Sequence, residues 1–461
     1  MRNRAGVHAN EKAGLSQERR LKELIDSVIR LGKKSGAEET EVHVDETVDA
    51  LTRFANNGIH QNVAEHGLTV SVRTVLDGKT ARVSTNKLDE DSLRAAVESA
   101  LSLAQSQPKA PHLLPMLGKQ RYRTVRRFIP ATAKLSAADR ARAVRRACDL
   151  AVKNEQIAAG IFVSGQMQSA VGNSRGLFAP YRQTRAEFSI TMQQGAATSW
   201  AKGNAADVRD LDPQALAERA SKKAKLATNA VELPPNKYTV ILEPAAVLDL
   251  VGFLFYDFAA TALEDKRSCL NDRIGKQVFG KNISLVDDVY HPGQLGAPYD
   301  GEGMPRERVV LVEDGVPRNL VYGRASAKRA RKKPTGHGFA LPNEYGEAPM
   351  NLVFAGGKAS LEEMIATTDH GLLVTRLWYI REVDPYEKVM TGMTRDGLFR
   401  VEKGKVTTAV RNFRFNQSVL EMLRNVEMMS HAERATGEEA FEMVVPAMKV
   451  SGFQFTEVTK F

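Results

Sequence analysis

FANNGIHQNVAEHGLTVSVRTVLDGKTARVST, residues 54–85, carries two turn signals. Asn56-Asn57-Gly58 and Asp77-Gly78 tolerate positive φ, and β-prone runs flank each, so each predicts a hairpin. The arm 68–76 alternates in polarity, as a strand with one buried face does. Upstream, strands are expected at 41–44 and 51–54. A helix over 16–36 precedes them, its apolar face made by Leu21, Leu24, Ile25, Val28 and Ile29. Downstream, Asp89 caps a helix carrying Leu93, Val97, Ala100, Leu101 and Ala104, and Pro108 stops it.

The proline-rich run QSQPKAPHLLPMLG predicts a linker at about 105–120. The same order then recurs. Ser136 with Asp139 has the spacing of a capping box and opens a helix. A strand over 161–171 leads to the turn NSRG, strands follow at 178–181 and 187–192, and Asp212-Pro213 opens a helix ending near 230. Helix, strands, turn, strands, helix therefore occur twice, which points to an internal duplication. A tail over 1–15 and an α+β N-terminal domain over 16–232 are expected.

Pro234 and Pro235 break the chain in VELPPNK. Beyond them, short β-like runs lie between Gly, Pro and Asp turns: NISLVDD, RVVLVEDG, MNLVFAGG, GLLVTRLWYI and GLFRVEKGKVT. Strands at this spacing predict a β-rich C-terminal domain over 233–461, a barrel or a sandwich. A last helix is expected at 417–430, before a final strand. The fold class is thus α+β with two domains.

Composition excludes several classes. With 461 residues and 43% hydrophobic residues the chain is globular and multi-domain. No apolar run reaches the ~18 residues of a membrane span. The opening residues lack the apolar core of a secretory signal. The two cysteines, Cys148 and Cys269, fit a reducing cytoplasm and exclude an all-cysteine zinc site. The net charge of +10 is compatible with nucleic acid, an acidic partner or solubility alone.

GFLFYDFAATALEDKRS, residues 252–268, continues a helix opened by Pro244, with Val247, Leu248, Val251, Phe255 and Phe258 near helical spacing. Tyr256, Asp257 and Thr261 stand where metal-binding histidines one turn apart would be sought. From the residues alone, a core helix is the stronger reading of the pattern.

Five stretches, taken in order, resemble the TldD/PmbA (TldE) family, once called modulators of DNA gyrase. They are FANNGIHQNVAEHGLTVSVRTVLDGKTARVSTN, KRSCLNDRIGKQVF, YDGEGMPRERVVLVEDGVPRNLVYGRASAKRA, DHGLLVTRLW and TRDGLFRVEKGKVTTAVRNFRFN. The resemblance implies a cytoplasmic dimer and a metallopeptidase acting on unfolded or flexible peptides. In the catalytic TldD-type subunit it implies an HExxxH helix, with two histidines on zinc and the glutamate as general base. A cysteine near the C-terminus completes that zinc site. Here Tyr256 and Thr261 replace the histidines and Asp257 the glutamate. Phenol and hydroxyl are poor zinc ligands at neutral pH. No cysteine lies in the C-terminal segment, where His431 falls near its position. KRSCLNDRIGKQVF is nearer the pattern of the TldE/PmbA-type partner, which lacks the ligands.

Other candidates carry their own alternatives. His337, in a Gly- and Pro-bounded loop, and the Asp369-His370 pair could join His431 in a non-standard metal site, or simply cap turns. Asp300 and Glu302 could hold a cation or make a tight turn. Asp265 and Arg267 could line a peptide groove or lie on a solvated helix end. Trp378 and Tyr379, beside Arg376 and Arg381, could hold a peptide by strand addition or fill a barrel. Arg324, Lys328, Arg329, Arg331, Lys332 and Lys333 invite nucleic acid, but no aromatics interleave and no nucleic-acid signature occurs.

The resulting expectation is a metal-free, TldE-like subunit of a peptidase. Zinc is supplied by a homologous TldD-type partner, with self-association the other form of dimer. Asp265, Arg267, His337, His370 and Trp378 are the groove candidates. The alternatives are an independent metallopeptidase and a basic nucleic-acid-binding or regulatory protein.

Overall fold

The computed structural model describes residues 2–459, with side chains from 16 onward. Its N-terminal half is one six-stranded antiparallel sheet built from two copies of a single unit. The first copy is α1 (Arg2–Lys34), β1 (Glu39–Ala55), β2 (Gly58–Leu76), β3 (Lys79–Thr85) and α2 (Glu90–Ser106). The second is α3 (Ala137–Lys153), β4 (Ile157–Asn173), β5 (Phe178–Gln194), β6 (Ala197–Ala205) and α4 (Pro213–Leu226). The order β3-β2-β1-β4-β5-β6 joins the copies through β1 and β4. The repeated order of elements is therefore real. The tail expected over 1–15 lies outside the residues described with side chains.

Local chemistry sets the boundaries. Asp89 accepts from Ser92 N at 2.9 Å and caps α2, and Ser136 and Asp139 form the expected capping box on α3. Asn56, Asn57 and Asp77 have φ of 50°, 61° and 50°, as their turns require. Two differences from the sequence expectation share a cause. The strands expected at 41–44 and 51–54 are one strand, β1, and those at 178–181 and 187–192 are one strand, β5. Ladder hydrogen bonds do not need apolar side chains, so DETVDA continues β1 although its alternation fails.

One sheet face carries Val42, Val44, Phe162, Phe188 and Ile190 beneath the helices. Phe54 of the first copy packs in the second copy's core, stacked on Phe188 at 6.0 Å. It crosses β4 at Gly160, where a Cβ would stand 2.1 Å from Ser189 O and 2.7 Å from the Phe54 ring. The opposite face is polar and meets the C-terminal half. Arg82, held by Glu41 at 2.6 Å, donates to Leu341 O, while Arg127 donates to the carbonyls of Gln294 and His291.

The C-terminal half closes a barrel from five strands: β7 (Lys237–Leu242), β8 (His370–Asp384), β9 (Val389–Glu402), β10 (Phe413–Ser418) and β11 (Met448–Val458). Each strand pairs with two neighbours, and the β8–β9 ladder closes the ring. The Phe413, Phe415, Phe453 and Phe455 rings fill it. A second six-stranded sheet, including Leu285–Asp287, Leu352–Phe354 and Met443–Val445, lies outside the ring. The helix expected at 417–430 is only Val419–Arg424, because the chain returns to strand at Val426–Met429 to pair with β11.

Phe54→Ala should cost about 3–5 kcal/mol, because it empties a site shared by both copies. Urea unfolding followed by circular dichroism would measure it, and a loss below ~1 kcal/mol would deny the two copies a common core.

Candidate functional site

The segment after β7 is not one helix. α5 (Pro244–Val251) tightens into a 3-10 run, Gly252–Phe258, and α6 (Ala260–Glu264) follows. Between them Ala259 is extended, with φ −75° and ψ 132°, and it bridges to Val321. This corrects the continuous helix expected from the apolar spacing. Tyr256 and Asp257 precede the break and Thr261 follows it, so the three do not share one helical face.

Each of the three side chains already has a partner. The Tyr256 hydroxyl donates to Tyr345 O at 3.0 Å. Thr261 donates to Glu347 Oε1 from both N and Oγ1, at 2.8 and 3.0 Å. The far oxygen of buried Glu347 accepts from Ser326 Oγ at 2.7 Å. Asp257, 2% exposed, faces the Lys388 ammonium at 2.5 Å and accepts from Cys269 N at 2.8 Å. Lys388 also reaches Glu382 at 2.7 Å. Burial alone would weaken the Lys388 charge, but Asp257 and Glu382 raise its pKa above the ordinary value.

Tyr256, Asp257, Lys388 and Glu382, but not Thr261 or Glu347, line a cleft of about 470 Å³ together with Phe253, Phe255, Arg267 and Glu438 to Phe441. Arg267 lies at its rim, ion-paired with Asp265 at 2.6 Å and set over the Tyr256 ring. A second cavity of about 510 Å³ separates the polar face of β4–β6 from Gln294, Arg306, Asn351 and Arg434. Phe441 walls both.

The other expected residues are scattered. His337 is buried, with Nε2 2.9 Å from Asp287 and Nδ1 2.9 Å from Thr335 Oγ1. His370 and Asp369 are exposed, 3.4 Å apart, at the end of β8 remote from the cleft. His431 is exposed on another loop. Trp378 is half-buried, with Arg395 4.7 Å from its ring centroid. Asp300 accepts from the amides of Glu302, Met304 and Gly338, which is a turn cap. In the basic cluster, on α7 (Arg324–Ala330) and the residues after it, Arg324 pairs with Glu302 and Arg329 with Glu264, while Lys328, Arg331, Lys332 and Lys333 are exposed.

Comparison with known proteins fits this architecture. Three domain models of the PmbA/TldA metallopeptidases match in order: domain 1 over 41–104, the central domain over 128–228 and the C-terminal domain over 235–457. The chain belongs to the PmbA/TldD metallopeptidase family. A Metalloprotease PmbA homolog of Haemophilus influenzae is 24% identical over 95% of this chain and 97% of its own length. The uncharacterized protein MJ0231 of Methanocaldococcus jannaschii is 26% identical over 74% of this chain and 80% of its own. In fold, the crystal structure of TldE from Thermococcus kodakarensis superposes with a TM-score of 0.85 at 22% identity, over 94% of this chain and 100% of that one.

PmbA/TldD membership raises the question of zinc. The donors here do not fit it. The phenol and the hydroxyl donate protons to oxygen acceptors, and an ammonium occupies the carboxylate. Among the described residues, no three His, Cys, Asp or Glu side chains converge. No local signal marks Lys388, which sits at φ 49° in a hairpin turn 131 positions from its partner, or Glu347.

Among the other buried carboxyls of this PmbA/TldD chain, two are displaced far toward neutrality. Asp249 and Glu302 are each pushed up to about 7, chiefly by burial. The folded chain keeps protons that the unfolded chain loses near pH 4. Stability should therefore fall as pH rises from about 4 to about 7, then level off. Asp249→Asn should flatten that slope in melting curves at pH 5 and 8, and an unchanged slope would exclude Asp249 as a source. Lys388→Met should cost about 3–5 kcal/mol by stranding a buried carboxylate. Adding Asp257→Asn should recover most of that loss in a double-mutant cycle read by urea unfolding.

Proposed function

We propose that this chain is the metal-free, TldE-like member of a peptidase assembly that cuts unfolded or flexible peptides. Hydrolysis then requires a homologous TldD-type subunit, whose HExxxH helix holds zinc. The observation that carries this is the Lys388 ammonium on Asp257, at the position of the general base. A fixed cation there opposes a second cation and also ties up the carboxylate that would take a proton from water. The chain's own part is to supply surface: the aromatic cleft beside Tyr256, with Asp265 and Arg267 at its rim as groove residues. His337, inside the fold, serves its loop instead. Among the described residues no helix is long and apolar enough to cross a membrane. A cytoplasmic setting is part of this proposal.

Purified alone and dialysed against zinc, the chain should carry less than about 0.1 zinc per molecule by elemental analysis. Co-expressed with an HExxxH homologue, it should co-purify and increase cleavage of an unfolded peptide over the homologue alone. Stoichiometric zinc, or unaided cleavage by this chain, would refute the proposal.

A further inference from the structure

The segment that divides the two cavities is the tip of a β-hairpin. Strands Glu433–Ala435 and Met443–Val445 pair antiparallel, and residues 436–442 between them wall the cleft on one side and the second cavity on the other. The tip reads TGEEAFE. Its anchors come from elements distant in sequence. Asp249 of α5, fully buried, accepts from the amides of Glu438 and Glu439 through one oxygen, at 3.1 and 3.0 Å. Its other oxygen has no hydrogen-bond partner. Lys202 of β6 donates to Gly437 O at 3.2 Å and lies 3.6 Å from Glu438. Tyr379 N donates to Glu439 at 2.6 Å, and Arg381 stands 3.6 Å from the same carboxylate. Asn204 donates to Glu442 at 3.0 Å. The Phe441 ring meets Phe255 edge-on at 5.5 Å, and Ala440 sits where a Cβ on Gly252 would be.

The tip thus makes the contacts a bound ligand would make: carboxylates on cations and backbone N–H, and an aromatic on an aromatic. Nothing in its own hairpin covers them. We infer that the surface under the tip, at the border of the cleft, is a binding site for an acidic peptide segment bearing an aromatic residue, covered in cis by 436–442 as a flap. When the flap lifts, the cleft and the inter-domain cavity become one groove. Tyr379 N, Arg381, the Asn204 amide and Phe255 then lose their partners on the tip and can take a strand supplied in trans, beside Lys202, which keeps Glu187 at 3.4 Å. The flap is held by side-chain and amide contacts between the two cavities, whereas its two strands are fixed by pairing. Opening therefore needs only the tip to move. This deepens the peptide-groove proposal and rests on it, but it needs no catalytic partner.

The test uses the whole chain and two variants that unlatch the tip differently. Asp249→Ala removes the acceptor of both amides. Gly437→Ala places a Cβ 2.0 Å from Asp249 Oδ1. Hydrogen exchange of the Glu438 and Glu439 amides should quicken at least tenfold in either variant, with exchange in β7 and β11 unchanged. A fluorescent Gly-Glu-Glu-Ala-Phe-Glu hexapeptide should bind the variants at least tenfold more tightly than the unaltered chain, by anisotropy. Phe→Ala or triple Glu→Gln versions of the peptide should lose that gain, as should Arg381→Ala added to the protein. If the amides exchange no faster in both variants, 436–442 is not a flap. If they do exchange faster and the hexapeptide binds no better, the cleft is not a site for this chemistry. Failure of either kind leaves the partner-dependence proposal standing, since no second subunit is present.

Discussion

The ion pair between Lys388 and Asp257 joins parts of the chain that the fold must bring together. Lys388 sits in the turn between β8 and β9, and Asp257 in the 3-10 run that leads out of α5. The Asp257 carboxylate also accepts from Cys269 N, and its carbonyl accepts from Ser268 Oγ at 2.8 Å, so one residue ties the barrel, the cleft wall and the chain leaving α6. A pair this deep is stable only because both charges are satisfied, and losing either partner exposes the other to the full cost of burial. It also decides what the cleft can do. On the proposed reading, a site built around a fixed ammonium recognises and positions, whereas activating water at that point calls for a cation that can be coordinated.

Much of the fold was legible in order of elements. Asn56-Asn57-Gly58, Asp77-Gly78, the Ser136–Asp139 capping box and the prolines at 234 and 235 announced turns and breaks by chemistry that works within a few residues. The duplication could be read because it repeats those signals. What was not legible depended on contact at a distance. The polar middle of β1 is strand because β2 and β4 pair with it on both sides. The break at Ala259 exists because Val321 offers a backbone partner there, which apolar spacing does not record.

The site divides along the same line. The absence of imidazole at 256 and 261 was plain from the residues, but the groups that partner the side chains there were not. Lys388 and Glu347 are unremarkable in their local sequence and acquire meaning only opposite Asp257 and Thr261. His337 turned out to serve Asp287 and its own loop, and His370 and His431 face solvent on separate elements.

The barrel strands β7 and β8 lie side by side in parallel, yet residues 243–369 leave the wall between them and return. Everything from Tyr256 to His337 belongs to that excursion, and the ring of strands closes without it. Such an arrangement separates the part that keeps its shape from the part that carries reactivity. Side chains on the excursion can be exchanged, and a zinc-bearing motif gained or erased, while the hydrogen-bonded ring beneath continues to form. A chain of this build can thus lose a chemistry and keep its architecture intact for another use.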